Sequence, residues 1–311
     1  MSRNLKFFLI AFLISLPFWW GTNIFQKNLE NYFYAQISQP LQQILEIKIS
    51  EKTKKPDIEI QAKSAISVKI DKEGTEKILF EKEIDQPLPI ASLTKLMTAV
   101  VVLENPEDYD LSKIITVSPE AVNQKEDFGN LKIGDQLSIK DLLHIMLIES
   151  SNDAAYALAE VIGVDNFTEK MNQKAESLGF KNTYFVNPTG LDPENSSDFK
   201  NVSTARELAE LGKYILNQHP QIWEISSKQI YEVFDSSGQF HHLAVNKNEF
   251  LSLVFDKIIG GKTGYTNEAG GCMILVLNGQ KDGYYINVIL GTSTIKARFE
   301  EMQKLINWLN E

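Results

Sequence analysis

The stretch that most constrains this chain is IASLTKLMTAVVVL, residues 90–103. Leu93, Leu96, Met97, Val100, Val101 and Leu103 recur nearly all round a helix rather than along one stripe, so a helix here is buried on every side. Into that segment the sequence puts one amine, Lys95, with a hydroxyl, Ser92, three residues before it. At i and i+3 both side chains lie on one helix face, roughly 5–6 Å apart at Cβ, close enough for the amine to take the hydroxyl's proton. A lysine at the head of a buried helix calls for a partner. The spacing alone is weak, because Ser197/Lys200 and Ser293/Lys296 repeat it in polar, loop-like sequence. The buried helix behind Ser92 sets the first match apart.

Composition narrows the rest. With 311 residues, 43% of them hydrophobic, the chain can bury a substantial core in one large or two intimately packed domains. A net charge of −10 and the lack of a long basic run argue against nucleic acid as a partner. Cys272 is the one cysteine, which excludes an intramolecular disulfide and a cysteine metal site. His241 and His242, two of four histidines, are expected on opposite faces of a strand, so no metal centre and no cofactor is expected.

Residues 1–25 begin with Arg3 and Lys6, followed by an apolar run from Phe7 to Phe25 that is long enough to span a bilayer, with Trp19 and Trp20 near the far interface. No small-x-small cleavage pattern follows, which favours an uncleaved single transmembrane helix over a signal peptide. The expected location is the cell membrane, with the remaining chain on the extracytoplasmic side. Residues 26–61 are polar and charge-mixed and read as a spacer, leaving residues 62–311 as the folded domain.

Within that domain Ala65–Ile70 alternates as a strand, Asp71–Gly74 turns and Lys77–Lys82 returns, a hairpin leading into the Ser92 helix. Helices are expected at Ile139–Met146, from Ala154 to Ile162, at Phe167–Leu178 closed by Gly179, and at Ser203–Leu216. Ser150 and Asn152 fall at the junction of the first two, where plain capping is the alternative role. FVNPTGLDPENSSD between the last two is a long turn-rich loop. Met273–Leu277 and Tyr284–Leu290 form an antiparallel hairpin, and Thr294–Asn310 an amphipathic helix that packs on the sheet. The fold class is α+β: an antiparallel sheet with packed helices and an inserted, mainly helical region.

Lys262-Thr263-Gly264 occurs once, before the terminal hairpin. With Ser92-x-x-Lys95 and Ser150-x-Asn152, in that order, it completes a motif set found in penicillin-binding proteins and class A β-lactamases. ASLTKLMTA, GDQLSIKDLLHIMLIESSNDAAYALAE, FVNPTGL, VSTARELA and KTGYTNEAGG extend the likeness from about Ala65 to the C-terminus. The chain resembles the serine D-alanyl-D-alanine carboxypeptidases, the low-molecular-mass penicillin-binding proteins, with their β-lactamase-like fold.

The resemblance implies roles. Ser92 would be the nucleophile and a neutral Lys95 its base, a state that burial and a second nearby cation both favour. Ser150 would relay the proton to the leaving amine, and Asn152 would hold Lys95 and a substrate amide. The N–H groups of Ser92 and Tyr265 would form the oxyanion site, and Gly264 would admit a substrate strand. Lys262, Thr263 and Arg298 would receive the substrate carboxylate; for Arg298 the alternative is a solvated charge at a helix end. Lys247 stands where related enzymes carry an arginine, and Gly271 where an aromatic often stands, which would open the floor of the site. The implied function is removal of the terminal D-alanine from peptidoglycan stem pentapeptides through an acyl-enzyme, with β-lactams as inhibitors. Alternatives are a D,D-endopeptidase acting on cross-links, a β-lactamase using Asp192 or Glu194, and an inactive wall-binding relative.

Overall fold

Period-2 alternation and a tight turn build the first hairpin, β1 (Ser64–Ile70) and β2 (Glu76–Lys82), in the computed structural model, which describes residues 57–310 except 126–128, 196, 253–256 and 280–282. The expected anchor and nearly all of the expected spacer lie outside the described residues, and no described helix is long and apolar enough to cross a membrane. The end of the spacer segment packs on the domain: Ile60 is buried, and the Gln61 N–H donates to Glu301 Oε2 at 2.8 Å.

A two-residue strand, β3 (Leu88–Pro89), leads into a 3₁₀ turn at Ala91–Leu93 and then α1 (Thr94–Glu104). The middle region follows: β4 (Ile114–Thr116), α2 (Pro119–Val122), β5 (Gln136–Ser138), α3 (Ile139–Ile148), α4 (Asn152–Glu160) and α5 (Val164–Ser177). After the long loop come β6 (Val202–Ser203), α6 (Ala205–Gln218) and α7 (Pro220–Ser226). The chain then runs through the hairpin β7 (Ile230–Phe234) and β8 (Phe240–Val245), the strands β9 (Ile258–Thr266), β10 (Gly270–Asn278) and β11 (Tyr284–Thr292), and α8 (Ile295–Asn310).

The main sheet is antiparallel in the order β2-β1-β11-β10-β9, so the last strands of the chain insert beside the first and β9 is left at an edge. Both side-chain sets of β10, Ile274 and Val276 on one face and Met273 and Leu275 on the other, are fully buried. Helix α8 contacts β10 and β11, while α6 packs on β1, β10 and β11. The helical block from α1 to α7 sits between the two parts of the sheet in sequence, as an insertion in an α+β fold. Helix α1 runs through its core, with Thr94 to Val102 all buried.

The close approach of α6 to the sheet depends on Gly212. A Cβ there would stand 3.2 Å from Ile274 Cδ1 and 3.3 Å from Ile286 Cγ2, so even alanine is tight and a larger side chain must push the helix outward. Gly212→Leu is expected to lower stability by about 1–3 kcal/mol despite its better helix propensity. Urea unfolding should show a lower midpoint with an unchanged slope.

Candidate active site

The 3₁₀ turn at Ala91–Leu93 holds Ser92 just ahead of α1, with Ala91 at φ +48°, a conformation non-glycine residues rarely adopt. Lys95, one turn on, is fully buried. Its Nζ stands 2.9 Å from Ser92 Oγ, 2.7 Å from Asn152 Oδ1 and 2.6 Å from the Thr189 carbonyl. The amide and carbonyl oxygens only accept, whereas the hydroxyl either donates or accepts. An ammonium satisfies all three by donating; a neutral amine satisfies the two oxygens and turns its lone pair to the Ser92 proton. The geometry therefore accommodates both ends of a proton transfer without moving a heavy atom.

The second motif comes from the junction of α3 and α4. Ser151, not Ser150, caps α4 by accepting from the Ala154 N–H, which frees Ser150 from the capping role. Ser150 lies at φ +67° and its Oγ accepts from Lys262 Nζ at 2.7 Å. Asn152 reaches Lys95 with Oδ1 and donates from Nδ2 to the Lys125 carbonyl at 2.8 Å.

The third motif lies on edge strand β9, where Lys262, Thr263 and Gly264 pair with Ile274, Met273 and Cys272. A Cβ on Gly264 would stand 2.9 Å from the Ser92 nitrogen and 3.1 Å from the Ala91 Cβ, so only glycine lets this strand press against the Ser92 turn. Tyr265 follows on the same strand. Lys262 is buried, and burial first, then the charges of Lys95 and Arg298, hold its pKa well below the ordinary lysine value. Arg298 is buried too rather than solvated: its Nη1 donates to the Gly264 carbonyl at 2.8 Å, and burial brings its pKa down to about 10. Lys247 is placed beside the second motif, its backbone N–H 3.3 Å from the Ile148 carbonyl.

Two expectations fail. Gly271 does not open a floor, because a Cβ there would meet Thr292 Oγ1 at 2.2 Å and the Thr294 carbonyl at 2.7 Å; the space is already filled. His241 and His242 do not point apart, since their Nδ1 atoms are 2.7 Å from each other. The cause is a β-bulge: β7 and β8 shift register between Val233 and Phe234, so His241 and His242 share one side.

The other two Ser-x-x-Lys matches are superficial. Lys200 pairs with Glu268 at 3.2 Å, and Lys296 with Glu300 at 2.9 Å on an exposed face. The acids of the β-lactamase alternative also point elsewhere: Asp192 accepts from Thr266 Oγ1 and the Glu268 N–H, and the Glu194 side chain is 85% exposed. Cys272 is buried behind the Ser92 turn, and burial pushes its thiol up to about 11, which keeps it protonated.

What the motifs did not single out is the loop that carries Thr189. Asn187 Oδ1 accepts from the backbone N–H groups of Thr189 and Gly190, while Asn201 bridges this loop to Thr94 Oγ1. Gly190, at φ +86°, lies so close to the Ala91 carbonyl that a Cβ would overlap it. The signal was present in the Asn-Pro-Thr-Gly turn, but a backbone carbonyl leaves no mark in a side-chain pattern.

Comparison with known proteins places the whole domain. Residues 50–294 match the family model described as D-alanyl-D-alanine carboxypeptidase. The chain belongs to that family. It is 33% identical over 246 residues to a D-alanyl-D-alanine endopeptidase of Pseudomonas aeruginosa, covering 76% of this chain and 74% of the relative. It is 32% identical over 253 residues to the D-alanyl-D-alanine carboxypeptidase DacF of Bacillus subtilis, covering 80% and 62%. Among solved structures, a penicillin-binding protein of Listeria monocytogenes with cefotaxime bound superposes with a TM-score of 0.70 at 28% identity, over 82% of this chain and all of that one. Penicillin-binding protein 5 of Haemophilus influenzae gives 0.70 at 30% identity, over 81% and 72%.

The depressed Lys262 has a consequence for stability. A lysine whose folded pKa lies below its unfolded one penalises the folded state while charged, and the penalty disappears once pH passes the unfolded value near about 10.4. Relative to Lys262→Met, the wild-type protein should therefore gain stability as pH is raised from neutrality toward 10. Paired thermal melts across that range check the sign.

Proposed function

We propose that the chain is a serine D-alanyl-D-alanine carboxypeptidase that removes the terminal D-alanine of peptidoglycan stem pentapeptides. The observation that carries this reading is the Lys95 amine set between Ser92 Oγ and the oxygens of Asn152 and Thr189. The Ser92 proton passes to Lys95 as Oγ attacks the carbonyl of the penultimate D-alanine, and the N–H groups of Ser92 and Tyr265 take the negative charge that forms on the carbonyl oxygen. Ser150, bonded to Lys262, passes a proton to the departing amine, and free D-alanine leaves an acyl-enzyme that water hydrolyses. Lys262, Thr263 and Arg298 supply positive charge and a hydroxyl for the substrate carboxylate, with Lys247 at the rim of the site. Edge strand β9, with no side chain at Gly264, suits a peptide that adds as one more strand. β-Lactams would acylate the same serine.

The apolar run Phe7–Phe25 supports anchoring in the cell membrane with the catalytic domain on the extracytoplasmic face, where peptidoglycan stem peptides lie. One observation favours a second reading, the D,D-endopeptidase: the relatives so named from Pseudomonas aeruginosa and Escherichia coli are matched over 74% and 78% of their own length.

Purified protein is expected to release D-alanine from a pentapeptide faster than it opens a cross-linked dimer; the reverse order would support the endopeptidase instead. Lys95→Ala should lower the rate by about 10²–10⁴-fold, the usual contribution of a positioned base. Unchanged turnover in that variant would remove Lys95 from the reaction.

A further inference from the structure

Four side chains that this reaction does not use form a hydrogen-bonded line ending one residue before Ser150. Asp135 Oδ2 lies 2.8 Å from His241 Nε2, His241 Nδ1 lies 2.7 Å from His242 Nδ1, and His242 Nε2 lies 2.9 Å from Glu149 Oε2. The rings meet edge to face with centroids 4.9 Å apart. His242 and Glu149 are buried, at 8% and 7% exposure. The nitrogens face one another in a line rather than converging on a point, and no metal-binding cluster occurs among the described residues.

Counting protons shows what this line holds. Each contact needs one proton between its two heavy atoms. Ionised carboxylates only accept, so both Nε2 atoms must carry a proton, and the Nδ1 to Nδ1 contact needs a third, on one ring alone. Three protons on two imidazoles make one positive charge. A neutral pair would set two lone pairs against each other or leave a carboxylate facing one, and a doubly charged pair would set two N–H groups head on.

The line is tied to the catalytic loop. Glu149 also accepts from the Val245 N–H at 3.4 Å, and the Ile148 carbonyl from the Lys247 N–H, so the end of α3 is laced to the end of β8. The next residue is Ser150 at φ +67°, a backbone that a residue with a side chain keeps only when its surroundings impose it. Resting on the reading of Ser150 as a proton relay, we propose that His241 and His242 are a positioning pair, a single shared cation that fixes Glu149 and so keeps Ser150 Oγ on Lys262. The charged groups facing the pair are Asp135 from the loop before β5, Glu149 from the end of α3 and Asp235 from the β7–β8 turn, while Lys262 faces Ser150 from β9. Without the shared proton the central contact is lost and Ser150 is released.

Two measurements on the full chain test this. The chain has only four histidines, so their ring nitrogens can be followed by NMR after ¹⁵N-histidine labelling. At neutral pH both Nε2 atoms of the pair should be protonated, with one proton between the Nδ1 atoms. Acylation by a fluorescent penicillin should be about tenfold slower in His241→Asn, the size of one charge-assisted hydrogen bond. His242→Gln, whose amide still donates to Glu149, should recover part of the rate lost in His242→Ala. Two bare Nδ1 atoms at neutral pH, or a His242→Gln rate no better than that of His242→Ala in folded variants, would overturn the proposal. A wild-type protein that takes no penicillin would count against the peptidase reading, while the NMR proton count would still decide the histidine pair.

Discussion

An amine fully enclosed in a helix core is the constraint on which the rest of this molecule depends. Lys95 sits on α1 where every position from Thr94 to Val102 is buried, and an unpartnered amine there would cost several kcal/mol. Its partners come from three separate parts of the chain: Ser92 from the preceding turn, Asn152 from the start of α4, and the Thr189 carbonyl from the long loop. Satisfying one buried lysine thus draws together the groups to which the proposed acyl transfer assigns roles. The same requirement accounts for the Asn187 and Asn201 contacts, which brace the loop so that its carbonyl points inward.

The sheet closes the site from the other side. Because β9 is an edge strand without a side chain at Gly264, its backbone comes against the Ser92 nitrogen, and Lys262 and Arg298 are carried in with it. Lys95, Lys262 and Arg298 bring three basic groups together in little water, which disfavours the charged form of Lys262, and an anionic substrate terminus would favour that form again. Left-handed backbone at Ala91 and Ser150 falls on two loops of the proposed active site, as strain at functional sites tends to do.

Much of this was legible in the sequence for a stated reason. The all-round apolar pattern of residues 90–103 gave a buried helix, the 3-residue spacing of Ser92 and Lys95 gave their contact, period-2 alternation gave β1, and apolar runs of strand length on either side of a turn gave β10 and β11. What escaped were features that period and motif do not encode. The bulge in β8 adds one residue to the strand and turns His241 and His242 to the same side, which strict alternation forbids. Thr189 acts through its carbonyl, so its identity carries no trace of its role. Only the resemblance singled out Arg298; its residue pattern alone left a helix-end charge open, because its partner, the Gly264 carbonyl, lies 34 residues away in sequence. The space beside Gly271 is taken by Thr292, a neighbour that strand pairing supplies and local sequence does not.

The central claim is that the lysine environment makes Ser92 the nucleophile, with Ser150 serving only as a relay. It is tested most directly by treating the protein with a penicillin and locating the adduct by mass spectrometry of its peptides. The account predicts one covalent penicilloyl group on the peptide containing Ser92. An adduct on the peptide containing Ser150, or a protein of unchanged mass, would contradict it.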